Sequence, residues 1–494
     1  MSATLLFTLV IAYFLVLLAV AWVTSRNSNN DSFFIGNRNS NWMLVAFGMI
    51  GTSLSGVTFV SVPGTVGSDG FNYLQVVIGY FIGYFIVAFI LLPLYYRLNL
   101  TSIYHYLAQR FGLVAYKTGA LFFILSRTVG ATARLYLVIN VLQLFILDNL
   151  HVPFWLTTFV ILLMILLYTF EGGVKTIVFT DTLQTTFMLL GLVVCILYIT
   201  HQLGFSFSHA LEVLNAKGYT HVFNTDVNSR NFWLKQILGG AFITVGMTGL
   251  DQEMMQKNIS VKTLGGSQKN MITFSVILVV VNLLFLLLGG LLYVFAENGG
   301  IGIKGDDLFP TVALTHLPPV ISFVFIIGLI SALFPSADGA LTALTSSFCI
   351  DILGLRKRDD LDEKGKKKTR RVVHLSFTVI FFLCVMIFKW IDSKSIIGFI
   401  LQIAGYTYGP LLGLFAFGIF TRRPVRQGYG VLVVCLAAPV ICYIISENAA
   451  RWFGGFKIGI ELLILNAMIT YAGLLIISEE RQFVKKKKKR PLQQ

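Results

Sequence analysis

Apolar residues in this chain are grouped into repeated runs, and each run is bounded by charged residues, glycine or proline. The runs are roughly 20 residues or longer, and a helix of that length crosses a hydrocarbon core about 30 Å thick. The pattern therefore predicts an all-α membrane protein with about thirteen transmembrane helices. The predicted spans lie at 4–24, 43–66, 72–97, 118–148, 153–170, 174–201, 230–258, 268–296, 319–350, 370–391, 395–420, 426–446 and 457–478.

The composition agrees with a membrane protein. Of the 494 residues, 56% are hydrophobic and 12% are charged, and the mean hydropathy is +0.78. A soluble domain has no means of burying so much apolar surface. A net charge of +15 can indicate a nucleic-acid partner, but the basic residues lie mainly in short loops and in the tail Lys485 to Arg490. We therefore expect a lipid bilayer as a partner and no nucleic acid.

Neither an enzyme nor a bound cofactor is indicated by the sequence. The five cysteines lie within or at the ends of apolar runs, without metal-ligand spacing, and we interpret them as inert packing residues. The runs contain no His/Asp metal cluster and no Ser/His pair of the kind that nucleophilic catalysis uses.

The basic residues also predict an orientation, because cytoplasmic loops carry an excess of Lys and Arg. We expect an extracytoplasmic N-terminus and a cytoplasmic C-terminus in a cell membrane, such as a bacterial inner membrane. The first run has no basic region before it and no small-residue cleavage site after it, so we expect it to be retained as a span. The basic positions that this orientation places inside are Arg26, Arg38, Arg97, Arg110, Lys117, Lys257, Lys262, Lys269, the segment Arg356 to Arg371, Arg422, Arg423, Arg426 and the tail.

Two spans are predicted to be interrupted. Glycine costs roughly 1 kcal/mol relative to alanine inside a helix, so clusters of glycine with hydroxyl residues favour a locally unwound backbone. The second span contains Gly48, Gly51, Ser53, Ser55, Gly56, Pro63 and Gly64, and the seventh contains Gly239, Gly240, Gly246 and Gly249 before Asp251. Broken helices at matching positions are typical of transporters built from inverted repeats, although such glycines also serve close helix packing.

Inverted repeats of five spans divide the chain into six segments. They are 1–42 with the first span and a cytoplasmic loop, 43–201 as the first repeat (spans 2 to 6), 202–229 as an extracytoplasmic loop, 230–422 as the second repeat (spans 7 to 11), 423–478 with spans 12 and 13, and 479–494 as the basic cytoplasmic tail.

Six motifs recur along the chain in a specific order and spacing. They are Asp31-Ser-Phe-Phe-Ile-Gly-Asn-Arg38, Tyr168-Thr-Phe-Glu-Gly-Gly173, Thr180-Asp-Thr-Leu-Gln184, Asp251-Gln-Glu-Met-Met-Gln-Lys257, the run from Ala332 to Asp351, and Gly405-Tyr-Thr-Tyr-Gly-Pro-Leu-Leu-Gly413. With these motifs the chain resembles the sodium/solute symporter family, which includes proline, sugar, sialic acid and iodide carriers. The resemblance covers nearly the whole chain and implies a leucine-transporter-type core of five helices plus five inverted.

The resemblance implies a sodium site. Its ligands would be the backbone carbonyls of Gly51, Leu54 and Ala332 and the hydroxyl of Ser336. Carbonyl and hydroxyl oxygens suit a hard cation. The family's second hydroxyl position is Pro335 here, and because proline lacks an amide donor, the carbonyl of Ser331 is freed to take that place. The alternative is a degraded site and a proton as the coupling ion.

Two carboxylates inside predicted spans are further candidates. A charged side chain in a span is costly, by roughly 2.5–3.5 kcal/mol on insertion scales, so Asp181 and Asp338 are candidates for a functional role. Related carriers hold a second ion at the position of Asp181, but the ninth-span serines of that pattern are Asp338 and Gly339 here. Asp181 alternatively only ties helix ends together, and Asp338 alternatively binds a proton or pairs with an arginine.

Arg134 in the fourth span is the candidate for binding a substrate anion, since a guanidinium binds a carboxylate through two parallel hydrogen bonds. The alternative is a structural ion pair with Asp338 or Asp181, and we interpret Arg127 as a snorkelling or gating residue.

The resemblance adds further cavity residues, and Thr58 argues against a hexose because sugar carriers have an amide there. These further candidates are Thr58, Phe59, Asp251, Gln252, Gln402 and Tyr406.

The sequence therefore predicts a monomeric secondary transporter that couples sodium to the symport of a small solute by alternating access. The best candidate solute is an organic anion, such as a carboxylate or a sialic acid-like sugar acid. Alternatives are a proton-coupled symporter, or a carrier of a neutral sugar, amino acid or vitamin, with the same fold. A sensory or channel protein is a more distant alternative.

Overall fold

The computed structural model describes residues 3–24, 33–34, 36–391, 396–425 and 428–479. The described residues are predominantly helical and include three isolated β-bridges but no β-strand. Part of the predicted topology depends on Arg26, Arg426 and the tail Lys485 to Arg490, which lie outside the described residues. Asp31, Ser32 and Ile35 of the first motif lie outside them as well.

The described residues form seventeen helices. They are α1 (Ala3–Thr24), α2 (Trp42–Ser53), α3 (Gly56–Asp69), α4 (Tyr73–Arg97), α5 (His105–Phe111), α6 (Leu113–Leu150), α7 (Phe154–Gln202), α8 (Phe207–Ala216), α9 (Trp233–Thr244), α10 (Gln252–Ile259), α11 (Leu264–Asn298), α12 (Leu308–Thr311), α13 (Pro319–Ile352), α14 (Glu363–Ile391), α15 (Ile396–Phe420), α16 (Gly430–Trp452) and α17 (Leu462–Ile477).

Within the described residues, eight helical segments are long and apolar enough to cross a membrane, and α2 with α3 forms a ninth, bent span. Shorter apolar helices at Val10–Thr24, Phe154–Phe170 and Leu462–Ile477 overlap the predicted first, fifth and thirteenth spans. The all-helical membrane fold is therefore confirmed, whereas the count of about thirteen spans stays a prediction.

The predicted interruption of the second span coincides with the bend between α2 and α3. The two helices meet at 57°, and Leu54 (φ −87°, ψ 74°) and Ser55 (φ −70°, ψ 174°) separate them with non-helical backbone. Gly51 lies in the last turn of α2, where a Cβ would come within 2.5 Å of Thr185 Oγ1 on α7. The close contact of α2 with α7 therefore requires glycine at this position.

The seventh span is interrupted as well. Helix α9 passes into a π-helical turn at Val245–Gly249, and Asp251 (φ −102°, ψ 123°) begins α10 from an extended conformation. Two tyrosine hydroxyls bind carbonyls at this break, since Tyr95 donates to Gly249 O at 2.7 Å and Tyr104 donates to Leu250 O at 2.9 Å. The buried carbonyls that the break leaves without helical partners thereby accept hydrogen bonds from neighbouring segments.

Helix α13 lies at the centre of the structure, and its residues are buried almost throughout. It packs against α7, α6 and α2, while α9 packs against α4 and α15 packs against α17. Helix α7 changes direction at Gly173, whose φ of 54° is in the left-handed region that glycine tolerates. This packing brings the broken α2–α3 span, the break before α10 and the middle of α13 together.

Candidate functional site

A cavity lies beside the bend of the second span and includes about 780 Å³ of space, part of it open to solvent. The backbone bend supplies Thr52, Ser53, Leu54 and Ser55 to its wall. The remaining wall comes from α3, α4, α6, α9 with its π-helical turn, α10, α11 and α15. Both polar and apolar side chains line the cavity. A concave space in which polar groups converge is typical of a small-molecule site.

Arg134 on α6 lines this cavity. Within the described residues its guanidinium makes no ion pair and no hydrogen bond, unlike the buried Arg127 two turns earlier. The alternative partners foreseen for Arg134 are engaged elsewhere, because Asp181 pairs with Lys257 and Asp338 accepts a hydrogen bond from Tyr168. The cavity therefore contains an arginine whose hydrogen-bond donors are available to a ligand.

Polar side chains on α4 and α11 also face the cavity, and sequence reasoning missed them. Tyr73, Tyr80 and Tyr84 line one wall, and the hydroxyls of Tyr73 and Tyr80 are 3.5 Å apart. Asn282 is buried, and its Oδ1 has no hydrogen-bond partner in the described part of the chain. The spacing of the three tyrosines, at i, i+7 and i+11 on one helical face, was a signal available in the sequence.

A second cavity adjoins the first on the side of the 202–232 segment. It includes about 1360 Å³ of space, much of it open to solvent, and it shares Tyr73 and Leu401 with the first cavity. Asp69, Arg230 and Gln402 contribute to its wall. Tyr73 and Leu401 therefore lie between the inner cavity and this outer cavity.

The structure brings only some of the predicted substrate residues to the inner cavity. Thr58 lines it together with Arg134, and Gln402 lies in the adjoining outer cavity. Phe59 is fully buried and stacks on Phe309 at 5.3 Å between ring centroids, and the ring of Tyr406 packs beside Tyr443 on α16.

Asp251 and Gln252 lie at the start of α10. Asp251 accepts hydrogen bonds from the backbone amides of Glu253 and Met254, as an N-cap does. Gln252 accepts from the amide of Ile103 and donates to Thr101 O. Neither residue lines the cavity in this conformation, and both hold α10 to its neighbours.

The four predicted sodium ligands are located where the end of α2 faces the middle of α13. A Cβ on Gly51 would lie 3.3 Å from Pro335 Cγ, so the two helices are in direct contact there. Ala332 and Ser336 are buried, and Ser336 donates its hydroxyl proton to Leu333 O at 2.9 Å. That bond directs the lone pairs of the Ser336 hydroxyl away from Leu333. Thr185 of α7, which accepts from the amide of Gly51 at 3.1 Å, is an additional oxygen that sequence reasoning missed.

The predicted second ion position holds a lysine side chain. Lys257 Nζ lies 2.6 Å from Asp181 Oδ2 and 2.5 Å from Thr52 Oγ1. The predicted topology places Lys257 among the basic residues on the cytoplasmic side, but the residue is buried on α10, where Asp181 and Glu253, 3.8 Å away, compensate its charge.

Further buried ion pairs continue from this lysine to α6. Arg127 pairs with Glu253, and its other terminal nitrogen lies 3.9 Å from Asp251 Oδ2. The side chain of Arg127 is only 4% exposed, so it is not a snorkelling residue in this conformation. The chain of charges Arg127, Glu253, Lys257 and Asp181 therefore links α6, α10 and α7, and it begins at the cavity, whose wall includes Arg127.

Comparison with known proteins gives a consistent family assignment. The chain is 22% identical over 448 residues to the sodium/sialic acid symporter of Proteus mirabilis, covering 88% of this chain and 87% of that protein. It is 24% identical over 427 residues to the sodium-coupled monocarboxylate transporter 2 of Danio rerio, covering 83% and 67%. The solved substrate-bound outward-open state of a Na+-coupled sialic acid symporter superposes with a TM-score of 0.82 at 19% identity, covering 96% of this chain and 98% of that one.

At that identity the structural likeness shows the fold, and the family follows from the sequence. The model of the sodium:solute symporter family matches residues 33–433. Since that match includes well over half of the 494 residues, the chain belongs to the sodium:solute symporter family.

Proposed function

We propose that this member of the sodium:solute symporter family uses a sodium gradient to carry a small organic anion by alternating access. The observation that carries the proposal is Arg134, whose guanidinium lines the cavity beside the broken second span without an ion-pair partner in the described chain. An arginine inside a membrane-spanning bundle requires an anion, water or a carboxylate partner. A carboxylate solute satisfies it with two parallel hydrogen bonds.

The class of anion is a sugar acid of the sialic acid type or a simple carboxylate. Further hydrogen-bonding groups in the cavity wall are the tyrosine hydroxyls of α4 and the side chains of Thr58 and Asn282. A hydroxylated solute needs several such groups. The relatives named as sialic acid and monocarboxylate carriers support the same class.

We assign sodium to the carbonyls of Gly51, Leu54 and Ala332 and to the hydroxyl of Ser336. The bend at Leu54 and Ser55 ends α2 early, and the last carbonyls of a helix lack partners within it. A site formed by α2 and α13 couples the ion to the cavity, since Leu54 also contributes to the cavity wall.

A second candidate is coupling to protons, which one observation favours. Asp338 is buried, accepts a hydrogen bond from Tyr168 at 2.7 Å, and has no basic side chain within ion-pair distance among the described residues. A buried carboxyl of this kind is suited to binding a proton. Uptake that follows a pH gradient and ignores sodium would support this candidate.

The remaining architecture is proposed on the same basis. We propose thirteen spans with a core of five plus five inverted helices in repeats 43–201 and 230–422, spans 12 and 13 within 423–478, and a monomer. In segment 1–42, the N-terminus would lie outside and the loop after the first span would be cytoplasmic. The loop 202–229 would lie outside, and the tail 479–494 would be cytoplasmic. Labelling of Gly365→Cys by an impermeant reagent from outside intact cells would contradict this orientation.

A ligand-stability screen tests the substrate class. A solute that binds the folded state stabilises it by RT ln(1 + [L]/Kd), so the correct anion raises the Tm of the purified transporter in sodium. We expect sialic acids or monocarboxylates to raise it more in sodium chloride than in potassium chloride, and Arg134→Gln to remove the shift. A shift given by neutral sugars and retained in Arg134→Gln would contradict the anion proposal.

A further inference from the structure

The ammonium of Lys257 is enclosed by oxygen atoms on two sides. Asp181 Oδ2 lies 2.6 Å away on α7 and Thr52 Oγ1 lies 2.5 Å away on α2, and Thr52 also lies 3.2 Å from the same carboxylate oxygen. Glu253 Oε1 is 3.8 Å from Nζ. These are carboxylate and hydroxyl oxygens, the donor types that hard cations take in proteins.

The helix that carries Lys257 is held at both ends. Asp251 caps the first turn of α10. At the other end, Asn258 donates to Met254 O at 2.9 Å and accepts from Asn270 Nδ2 on α11 at 2.8 Å. The lysine is 3% exposed, so no water shell of its own competes with these contacts. The ammonium is therefore a fixed part of the protein in this conformation.

A fixed ammonium and a bound sodium ion exclude each other at such a position. Both carry one positive charge and both take the same oxygen atoms, and two cations at contact distance of one carboxylate repel strongly in a poorly screened interior. Asp181 Oδ1 has no hydrogen-bond partner in the described chain. If the ammonium were removed, the carboxylate of Asp181 would therefore still offer oxygen atoms to a cation.

We infer that Lys257 is a tethered cation that takes the place of a second coupling ion at Asp181, so that the transporter binds a single sodium ion. The inference rests on the proposed sodium-coupled function and adds the ion stoichiometry to it. Replacing Lys257 by a neutral residue vacates the oxygens of Asp181 and Thr52 and creates a second cation site.

Sodium titration of the stability of the purified full-length protein tests the inference without a transport assay. The Tm is recorded against sodium chloride concentration, with potassium chloride keeping the ionic strength constant, and the number of sites is read from the limiting slope against ln[Na+]. Wild type is compared with Lys257→Gln and with the double variant Lys257→Gln/Asp181→Asn, which removes the vacated carboxylate as well.

We expect a one-site response in wild type, about twice the limiting slope in Lys257→Gln, and a return to one site in the double variant. A two-site response in wild type overturns the inference, and this outcome does not depend on whether a variant folds. A one-site response in folded Lys257→Gln also overturns it. A wild type without sodium response beside a responsive Lys257→Gln would contradict the proposed sodium coupling while supporting the role of Lys257.

Discussion

The Tyr408 hydroxyl on α15 donates a 2.7 Å hydrogen bond to Asp251 Oδ2, at the residue where the broken seventh span resumes as α10. The same carboxylate caps the first turn of α10 through the amides of Glu253 and Met254. Asp251 thus connects two spans of the proposed second repeat through one side chain, and its role in this conformation is structural.

Asp251→Ala is therefore expected to lower stability rather than to remove a substrate contact. Loss of an N-cap costs about 0.5–2 kcal/mol, and the unpaired Tyr408 hydroxyl adds to that. Thermal unfolding in detergent measures the loss, and Tyr408→Phe, which keeps the cap, should lose less. Normal stability of Asp251→Ala with a selective loss of solute binding would instead place Asp251 in the substrate site in another conformation.

Ser336→Ala should weaken the apparent affinity for sodium. The proposed site would lose one hydroxyl ligand, and if that contact contributes as much as a hydrogen bond to a charged group, about 1.5–3 kcal/mol, the affinity falls roughly tenfold or more. The sodium dependence of uptake measures it. Ser322→Ala is the matched control, because Ser322 is a buried serine on the same helix that donates to Ala313 O at 2.8 Å. Equal effects of both substitutions would remove Ser336 from the ion site.

Glu253→Gln should destabilise the protein strongly. It leaves the buried Arg127 with Asp251 Oδ2 at 3.9 Å as its remaining carboxylate, and breaking a buried ion pair from one side costs about 3–5 kcal/mol. Removing both charges, as in Arg127→Gln/Glu253→Gln, should restore part of the stability. The double-mutant cycle of Tm values measures the coupling. Additive losses would show that the two side chains do not stabilise each other.

Asp306, in the segment between α11 and α13, is expected to make the stability of the folded protein depend on pH. Burial raises the pKa of this carboxyl to about 6, with Asp307 contributing in the same direction. The folded state therefore binds the proton more tightly than the unfolded chain, and the stabilising effect is complete below pH about 4 and is lost as the pH rises through 6. The unfolding temperature of wild type and Asp306→Asn across pH 4 to 7 measures it, and the variant should show a smaller decline. Identical profiles would exclude Asp306 as the source.

Local sequence chemistry was sufficient to predict the bend of the second span. Gly51, Ser53, Ser55 and Gly56 weaken helix propensity in one short stretch, and the helix breaks at Leu54 and Ser55 within it. The placement of Thr58 and Arg134 on one cavity agrees with the expectation for those two residues. Their roles in binding stay predictions.

Long-range pairing could not be predicted from local pattern. Lys257 precedes Lys262 and Lys269, which is typical of a basic loop, and its partner Asp181 is 76 residues away in the sequence. The family resemblance predicts Phe59 in the cavity, yet its ring packs in an aromatic cluster with Phe309 and Phe325. Which face of a helix meets the cavity depends on the packing of distant spans.

Sodium-driven uptake of an anion through Arg134 is the central claim, and proteoliposomes loaded with potassium and diluted into sodium test it most directly. We predict that wild type accumulates a labelled sialic acid or monocarboxylate under an inward sodium gradient. Arg134→Lys, which keeps the charge but loses the planar fork, should raise KM about tenfold or more with normal folding, and Arg134→Gln should not accumulate the anion. Transport of a neutral sugar or a zwitterionic amino acid by Arg134→Gln at the wild-type rate would contradict the account.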